Sequence, residues 1–237
     1  MAEVPVRKTP WSIEELLTSY QRAWTARFGV PLGAAGTCML AAQSTLECGP
    51  LGKIGCFGCN PSNIMALGNY AGDYHVLRLA PECGDPNALP AGAILPTSVT
   101  ISCKPGQVAY IPKGGSRFRS YKSFDEGCAD KIAVLHAIWP LACDVLYSAR
   151  DSSDVLAFVN ALLHPRYFSA SEITYAKNVA SIMDGILVSI SPTFWATFDP
   201  AVVVDVPAPT LLSEKPYEEA TLMGFLSTLA DDTSDTA

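Results

Sequence analysis

The apolar positions near the start of the chain recur at helical spacing and predict two helices. Residues 12–28 carry one broad apolar stripe, formed by Ile13, Leu16, Leu17, Tyr20, Trp24 and Phe28. Ser12 and Glu15 have the spacing of a capping box, in which each side chain binds a backbone N–H of the first turn. Residues 36–48 form the second predicted helix. Glu47 lies at its end, just before a glycine-rich turn at 49–53.

The middle of the chain has a different pattern and predicts a small β lobe. Residues 49–72 are rich in Gly, Asn and Cys and are typical of a loop, and residues 74–79 have the composition of a short strand. The four prolines of residues 81–97 indicate an irregular segment. Two β-prone runs, 98–103 and 107–112, are joined by a Lys-Pro-Gly sequence that favours a tight turn, so we expect them to pair as a hairpin.

Helical periodicity returns after residue 122. Ser123 and Glu126 form a second capping box, and the helix they begin should bury Phe124, Cys128, Ile132, Leu135 and Trp139. Pro140 should end or kink that helix, and 141–147 continues as a short one. Another helix begins at Asp151 or Ser152. Ser169 and Glu172 form a third box, for a helix to about residue 187 that should bury Ile173, Ala176, Ala180, Met183 and Leu187.

The order of elements is helices, a small β lobe, helices and a tail, which predicts a mainly α member of the α+β class. The 237 residues suffice for one sizeable domain with an appendage. Residues 199–237, which include a predicted amphipathic helix at 214–230, hold eight acids and one base, whereas residues 1–198 hold 15 of each. This acidic balance and the lack of a binding motif argue against nucleic acid as a partner.

No apolar run reaches the length of a membrane span, and the first residues lack the pattern of a signal peptide. We therefore expect no membrane partner and synthesis in a cytoplasm, with any export through lysis or carriage in a particle.

The eight cysteines leave two interpretations open. Cys56 and Cys59 have chelate spacing, and Cys83 and Cys103 could approach them across a hairpin, but zinc is best served by two close pairs. Disulfides formed after release are the other interpretation. Cys38, Cys128 and Cys143 lie on helical faces and are expected to be buried apolar residues. Since His75, His136 and His164 also lack metal-binding spacing, we expect no cofactor and no metal among the site residues.

Five short elements then occur in a fixed order: Gln43-x-x-Leu46-Glu47-x-Gly49, Asn63-Ile64, Phe118-Arg119-Ser120-Tyr121, Phe124-x-Glu126-Gly127-x-Ala129-Asp130, and Tyr167-Phe168-Ser169-Ala170 followed by Tyr175-Ala176-Lys177-Asn178-Val179. Together they resemble the lysozyme-like superfamily over about residues 12–190. The most similar members are the glucosaminidase-type peptidoglycan hydrolases of bacterial autolysins and phage lytic proteins.

This resemblance implies a lysozyme-like fold with a small β lobe inserted between helices, and cleavage of the β-1,4 glycan backbone of peptidoglycan. Glu47 corresponds to the catalytic acid. Such an acid must be protonated at the working pH, which a partly apolar cleft wall favours by desolvating the carboxylate. The proton then passes to the glycosidic oxygen as an oxocarbenium-like transition state develops.

The resemblance also gives candidate substrate-binding residues: Gln43, Asn63, Tyr167 and Tyr175. Asn63 would bind backbone or sugar. The tyrosines would line the cleft or belong to the core, because Phe168 competes for the expected tyrosine position. A second carboxylate would come from the β lobe, where Asp73, Glu82 and Asp85 are candidates without a supporting motif. Hydrolysis and lytic transglycosylation therefore both stay open.

We expect a hydrolase domain at 1–190 and an acidic C-terminal extension at 191–237, either a docking segment or a solubilising tail. The expected function is that of a phage virion-associated lysin or endolysin, with peptidoglycan strands as substrate and virion tail proteins as further partners. The alternative is a peptidoglycan-binding or structural virion protein without turnover. A cysteine peptidase using Cys48 or Cys59 is disfavoured, because no histidine lies in a supporting motif.

Overall fold

The computed structural model describes residues 2–48, 56–66, 70–78, 81–96, 103–163, 167–168 and 171–195. In these residues the protein is mainly helical with small antiparallel sheets, so the predicted α+β class is confirmed. The helices are α1 (Ile13–Phe28), α2 (Ala34–Cys48), α3 (Phe124–Ile138), α4 (Pro140–Ser148), α5 (Val155–Ala161), α6 (Glu172–Ser189) and α7 (Pro192–Trp195). The strands are β1 (Lys8–Thr9), β2 (Cys56–Phe57), β3 (Tyr74–Leu77), β4 (Glu82–Gly84), β5 (Val108–Tyr110) and β6 (Ser116–Arg119).

Helix α1 begins and ends as its sequence predicts. The Ser12 hydroxyl accepts a hydrogen bond from the Glu15 N–H at 3.1 Å, and the Glu15 carboxylate accepts one from the Ser12 N–H at 3.4 Å. At the other end Gly29 adopts a left-handed conformation with φ of 74°, and its N–H binds the Thr25 carbonyl. The apolar stripe of α1 is buried against the other helices.

Helix α2 is the central helix of the protein. It begins two residues earlier than predicted, and residues 35–45 are buried without interruption. Small side chains make this possible, because neighbouring backbones can then approach closely. At Gly36 an added Cβ would lie 2.1 Å from the Leu146 carbonyl oxygen of α4.

The β region consists of three two-stranded antiparallel sheets among the described residues, β1–β2, β3–β6 and β4–β5. The strand at 74–79 is present as β3, which pairs with β6 in a register that sets Tyr74 opposite Arg119. The irregular segment predicted at 81–97 contains β4, which was missed, and the loop predicted at 49–72 contains β2.

Strand β5 pairs with β4, and residues 98–102 of the predicted hairpin lie outside the described part of the chain. The turn before β5 is as expected, since the Gln107 N–H binds the Lys104 carbonyl at 3.0 Å and Gly106 has φ of 87°. Cys83 and Cys103 form a disulfide with a Cα–Cα distance of 5.5 Å. For this pair the disulfide interpretation is therefore the right one, and the described residues contain no cluster of three or more potential ligands suited to a metal ion.

Helices α3 to α6 complete the core. Ser123 caps α3 by accepting from the Glu126 N–H, whereas the Glu126 carboxylate binds the Lys122 N–H in place of the Ser123 N–H of a capping box. Pro140 separates α3 from α4, as predicted. Cys38, Cys128 and Cys143 are buried, as predicted.

Helix α6 differs from its prediction in two respects. Its N-cap is Ser171, which accepts from the Thr174 N–H, whereas Ser169 lies outside the described residues. Ile173 was expected in the core but is 63% exposed. At 100° per residue it lies about half a turn from Tyr175, which is buried, so the inward face of α6 is rotated from the predicted one.

Some predictions fall outside the described residues: the turn at 49–53, His164, the helix at 214–230 and most of the acidic extension at 191–237. Among the helices that are described, none combines the length and apolarity that crossing a membrane requires.

Candidate active site

Glu47 lies in the last turn of α2, where the buried helix reaches the surface. Residues 35–45 are buried, whereas Glu47 is partly exposed. The last carbonyls of a helix have no partner within it, and here the Asn63 side chain donates to the Glu47 carbonyl at 2.7 Å. Asn63 itself has φ of 50°, a left-handed conformation that Asn tolerates better than most residues. The structure thus shows the backbone role expected of Asn63, and its contact with sugar stays a prediction.

A second asparagine, which sequence reasoning missed, holds the loop that carries Asn63. Asn60 is fully buried, and its Oδ1 accepts from the Ile64 N–H at 2.9 Å. Its Nδ2 donates to the carbonyls of Ile64 at 2.9 Å and of Arg119 at 3.1 Å. The loop is therefore tied to β6. The signal in the sequence was the run Asn-Pro-Ser-Asn at 60–63, which is rich in turn-forming residues.

Tyr175 of α6 orients the Glu47 side chain. Its hydroxyl donates to Oε1 of Glu47 at 2.7 Å and accepts from Nε2 of Gln43 at 3.3 Å. The Tyr175 ring stacks on Phe168, with centroids 4.2 Å apart and an interplanar angle of 8°. Gln43 is one turn before Glu47 on α2 and has no exposed surface. It therefore supports the tyrosine in this structure, and direct substrate binding by Gln43 and Tyr175 stays a prediction.

Tyr167, the remaining candidate, binds a lysine that sequence reasoning did not identify. The Lys131 Nζ donates to the Tyr167 hydroxyl at 2.7 Å and lies 4.1 Å from the centroid of its ring. Lys131 is 0% exposed. Its signal in the sequence was its position on the inward face of α3, between the buried residues Cys128 and Leu135.

Burial dominates the electrostatics of this site. It raises the pKa of Glu47, while the Tyr175 hydrogen bond and the charge of Lys131 oppose that rise. Burial likewise lowers the pKa of Lys131, and Glu47 and Cys48 oppose that change. The net effect favours a Glu47 carboxyl that keeps its proton to higher pH than an ordinary glutamate.

A second polar cluster joins the β lobe to α3 beside the site. Arg119 of β6 forms an ion pair with Asp130 of α3 at 2.7 Å, and both side chains are largely buried. Tyr121 donates to the same Asp130 oxygen at 2.5 Å. The Arg119 guanidinium also lies 4.6 Å from the centroid of the Tyr70 ring. This cluster fixes the β lobe against the helix that carries Lys131.

Two of the three candidate second carboxylates, those of Glu82 and Asp85, have local partners, and Asp73 is bonded through its backbone. Glu82 accepts from the Tyr110 hydroxyl at 3.0 Å, and Asp85 accepts from the Asn87 N–H at 2.8 Å in a turn. The backbone carbonyl of Asp73 accepts from the Ser120 N–H at 2.8 Å. A second catalytic carboxylate therefore stays a prediction.

The described histidines have structural surroundings. His75 is buried, and burial lowers its pKa, which favours the neutral form of the ring. His136 contacts the Arg27 guanidinium, with its Nδ1 2.8 Å from Nη2 of Arg27.

No protein-family model and no curated protein sequence matches the chain. It is similar to the solved structure of a peptidoglycan hydrolase mutant from Sphingomonas sp. A1, with 21% identity, 75% of this chain and 94% of that chain covered, and a TM-score of 0.47. It is also similar to the glycoside hydrolase domain of FlgJ from Salmonella typhimurium, with 18% identity, 79% and 98% covered, and a TM-score of 0.43. These values are too low to assign a function.

Proposed function

We propose that the chain is a glycoside hydrolase that cleaves the β-1,4 glycan backbone of peptidoglycan, with Glu47 as the general acid. One observation carries this proposal. Glu47 is a partly exposed residue at the end of a buried helix, burial raises the pKa of its carboxyl, and Tyr175 holds that carboxyl in one orientation. A general acid needs these same properties: access to substrate, a retained proton and a fixed direction.

The five sequence elements that carry the resemblance also support the proposal, because hydrogen bonds connect them. The hydrogen bond from the Asn63 side chain to the Glu47 carbonyl joins the second element to the first. The hydrogen bond from the Tyr175 hydroxyl to the Glu47 carboxyl joins the fifth element to the first. The Arg119 N–H binds the Ile64 carbonyl at 2.9 Å and joins the third to the second. The ion pair of Arg119 with Asp130 joins the third to the fourth. Elements far apart in the chain thus meet around one carboxyl.

The chemistry follows from this geometry. Tyr175 occupies Oε1 of Glu47, so the proton for donation is carried on Oε2. Transfer of that proton to the glycosidic oxygen releases the leaving sugar as an alcohol and leaves Glu47 as a carboxylate. The hydrogen bond from Tyr175 and the charge of Lys131 both stabilise this anion. Attack on the oxocarbenium-like centre by water gives hydrolysis, and attack by a hydroxyl of the substrate gives transglycosylation. In both cases a C–O bond forms and the attacking group releases one proton, which restores the protonated form of Glu47 either directly or through solvent.

The finer assignment is to an N-acetylglucosaminidase or muramidase of a phage lytic protein. It follows the sequence resemblance, which is to autolysins and phage lytic proteins. The acidic charge of residues 199–237 and the apolar stripe at 214–230 support a segment that docks onto another virion protein.

The test is digestion of purified peptidoglycan, with the products identified by mass spectrometry. Wild-type protein should release glycan fragments whose new ends identify the bond cleaved and separate reducing sugars from anhydro-sugars. Glu47→Gln should release none. Glu14→Gln, which changes an exposed glutamate at the start of α1, is the matched control and should behave as wild type.

Two outcomes would contradict the proposal. Digestion by Glu47→Gln at the wild-type rate would remove Glu47 from the mechanism. Peptidoglycan binding by wild type without any product would favour the binding-module alternative.

A further inference from the structure

Gln43 is an amide without exposed surface, one turn before Glu47 on α2. The side chain is 0% exposed, and its Nε2 donates to the Tyr175 hydroxyl at 3.3 Å. Its Oε1 is also buried and accepts no hydrogen bond from the described residues. A buried acceptor without a donor is destabilising, and an apolar side chain of the same length would avoid that penalty. Within the described part of the chain, the polar contact of this amide is therefore the one with Tyr175, beside the proposed acid.

The Tyr175 hydroxyl lies between that amide and the Glu47 carboxyl. It donates to Oε1 of Glu47 at 2.7 Å and accepts from Nε2 of Gln43. A phenol has one proton, and an amide nitrogen donates but does not accept. Because Gln43 donates to the tyrosine oxygen, the single hydroxyl proton points to Glu47. The Tyr175 ring stacks on Phe168, with 4.2 Å between centroids and 8° between planes, which keeps the oxygen in this place.

The direction of this hydroxyl decides which oxygen of Glu47 carries the proton. If Tyr175 accepted from Glu47 instead, the proton of the acid would lie on Oε1, between the carboxyl and the tyrosine and away from substrate. While Tyr175 donates, Oε1 is an acceptor, so the neutral carboxyl must carry its proton on Oε2. Among the described residues, Tyr175 is the hydrogen-bond partner of this carboxyl, which leaves Oε2 for the substrate.

We propose that Gln43 is a positioning residue: its amide fixes the direction of the Tyr175 hydroxyl, so that Tyr175 donates to Oε1 of Glu47 and the acid carries its proton on Oε2. This inference rests on the proposed role of Glu47. No proton moves along the link between Gln43 and Tyr175. Glu47 gives one proton from Oε2 to the glycosidic oxygen and accepts the same hydrogen bond at Oε1 before and after. The donor is thus in place before the anion forms, and the step needs no rearrangement of these side chains.

The experiment is a double-mutant cycle on the ionisation of Glu47 in the full-length protein. The ¹³C resonance of the Glu47 side-chain carboxyl is followed by NMR as a function of pH in wild type, Gln43→Met, Tyr175→Phe and the double variant. Gln43→Met should move the midpoint to higher pH, because the neutral acid can then donate to Tyr175 and is stabilised. In the Tyr175→Phe background the same substitution should leave the midpoint unchanged, because no hydroxyl remains to be directed.

Gln21→Met is the matched control. The Gln21 amide also lies inside the fold, where its Oε1 accepts from the Leu32 N–H at 3.2 Å and from the Thr37 hydroxyl at 3.3 Å. Its replacement loosens the packing of α1 on α2 without changing the group that binds Tyr175, so the Glu47 midpoint should stay at its wild-type value. A shift as large as that of Gln43→Met would attribute the effect to packing and overturn the inference. Lys131 and Tyr167, the other titratable groups that act on Glu47 and Tyr175, are the same in every variant.

A second measurement uses the wild-type side chain, in case Gln43→Met does not fold. The ¹⁵N and ¹H resonances of the Gln43 side-chain NH₂ group should shift with the same midpoint as the Glu47 carboxyl. Ionisation of Glu47 polarises the Tyr175 O–H and strengthens the hydrogen bond that its oxygen accepts from Gln43. In Tyr175→Phe this shift of the Gln43 resonances should disappear.

Kinetics give the third measurement, since a misdirected proton slows the chemical step. In peptidoglycan digestion, kcat of Gln43→Met should fall by on the order of 10-fold with a smaller change in KM. A kcat equal to that of wild type would overturn the positioning role.

The NMR and digestion results separate this inference from the proposed function. An equal shift of the Glu47 midpoint in both backgrounds, or Gln43 resonances that do not follow Glu47 in wild type, overturns the inference, whether or not the protein digests peptidoglycan. Coupled titrations in a wild-type protein that releases no glycan product support the link from Gln43 to Glu47 and overturn the proposed function instead.

Discussion

Gly127 lies where α3 comes closest to the loop that carries Asn63, and its replacement by alanine tests this contact. An added Cβ would lie 2.0 Å from the Cys59 carbonyl oxygen and 2.8 Å from Cδ of Pro61. Because the first neighbour is backbone, the helix or the loop must move by roughly 1.5 Å before the new methyl group reaches an ordinary van der Waals distance of about 3.5 Å. Overpacking of this kind costs about 1–3 kcal/mol, of which alanine in a helix recovers about 0.5–1 kcal/mol. We expect Gly127→Ala to lower the free energy of unfolding by about 1–2 kcal/mol.

Urea unfolding followed by circular dichroism measures this change. Gly185→Ala in α6 is the matched control, since it is the same substitution at an exposed helical position with nothing within 4 Å of the new methyl group. It should raise the free energy of unfolding by about 0.5–1 kcal/mol. The two substitutions should therefore change the free energy of unfolding in opposite directions. If Gly127→Ala unfolds at the same urea concentration as Gly185→Ala, the close approach of α3 to the loop is wrong.

The same displacement should reach the site. The loop at 59–63 ends in the asparagine that binds the Glu47 carbonyl, so a shift of the loop loosens the end of α2. We expect Gly127→Ala to reduce kcat on peptidoglycan more than it changes KM. An unchanged kcat in a variant that is destabilised would show that the loop adjusts without moving Glu47.

Of three further predictions, two concern the site and one concerns the β lobe. Asn63→Gly should keep the left-handed backbone and lose only the hydrogen bond to the Glu47 carbonyl, whereas alanine also disfavours that backbone conformation. Asn63→Ala should therefore be less stable than Asn63→Gly by about 1 kcal/mol in urea unfolding. Equal stability of the two variants would contradict a role for the backbone conformation. Because burial raises the pKa of Glu47, the contribution of this group to stability is complete below the ordinary glutamate pKa and is lost as pH rises through its pKa in the folded protein. Glutamine does not titrate, so the melting temperature of Glu47→Gln should rise relative to that of wild type as pH increases. A difference in melting temperature that does not change with pH would refute this prediction. Replacing Cys83 and Cys103 by serine removes a disulfide that spans 20 residues and should lower the free energy of unfolding by about 3 kcal/mol. Reductant should destabilise wild type in the same way, and identical wild-type unfolding curves with and without reductant would contradict this prediction.

Local signals allowed the helices to be predicted, and non-local pairing limited the prediction of the sheets. The Ser12 capping box and the apolar stripe that ends at Phe28 both involve residues a few positions apart, so the bounds of α1 followed from sequence. The partner of β5 is β4, which lies more than twenty residues away in a segment whose prolines suggested irregular structure. Nothing in the local composition identifies such a partner. Ile173 shows the same limit within a helix, since apolar spacing placed it on the inward face, whereas packing in the fold buries Tyr175 and leaves Ile173 exposed.

The candidate site was predicted in part. Glu47, Asn63 and Tyr175 were identified by resemblance, and the structure brings them together through hydrogen bonds. Lys131 was missed because the buried face of a helix is predicted from its apolar residues, and a lysine at such a position is not expected to be buried. Its partner Tyr167 was identified, but the amine that donates to its hydroxyl belongs to α3, 36 residues earlier in the chain, and sequence does not give that contact.

The uninterrupted burial of α2 has a consequence for exchange of its amide protons with solvent. A helix with one free face can open locally, whereas residues 35–45 are covered on every side and can reach water only when the surrounding helices separate. Their amide protons should therefore exchange with deuterium at the rate of global unfolding, more slowly than those of the short strands. The backbone that carries the acid would then be the last part of the protein to lose its native structure.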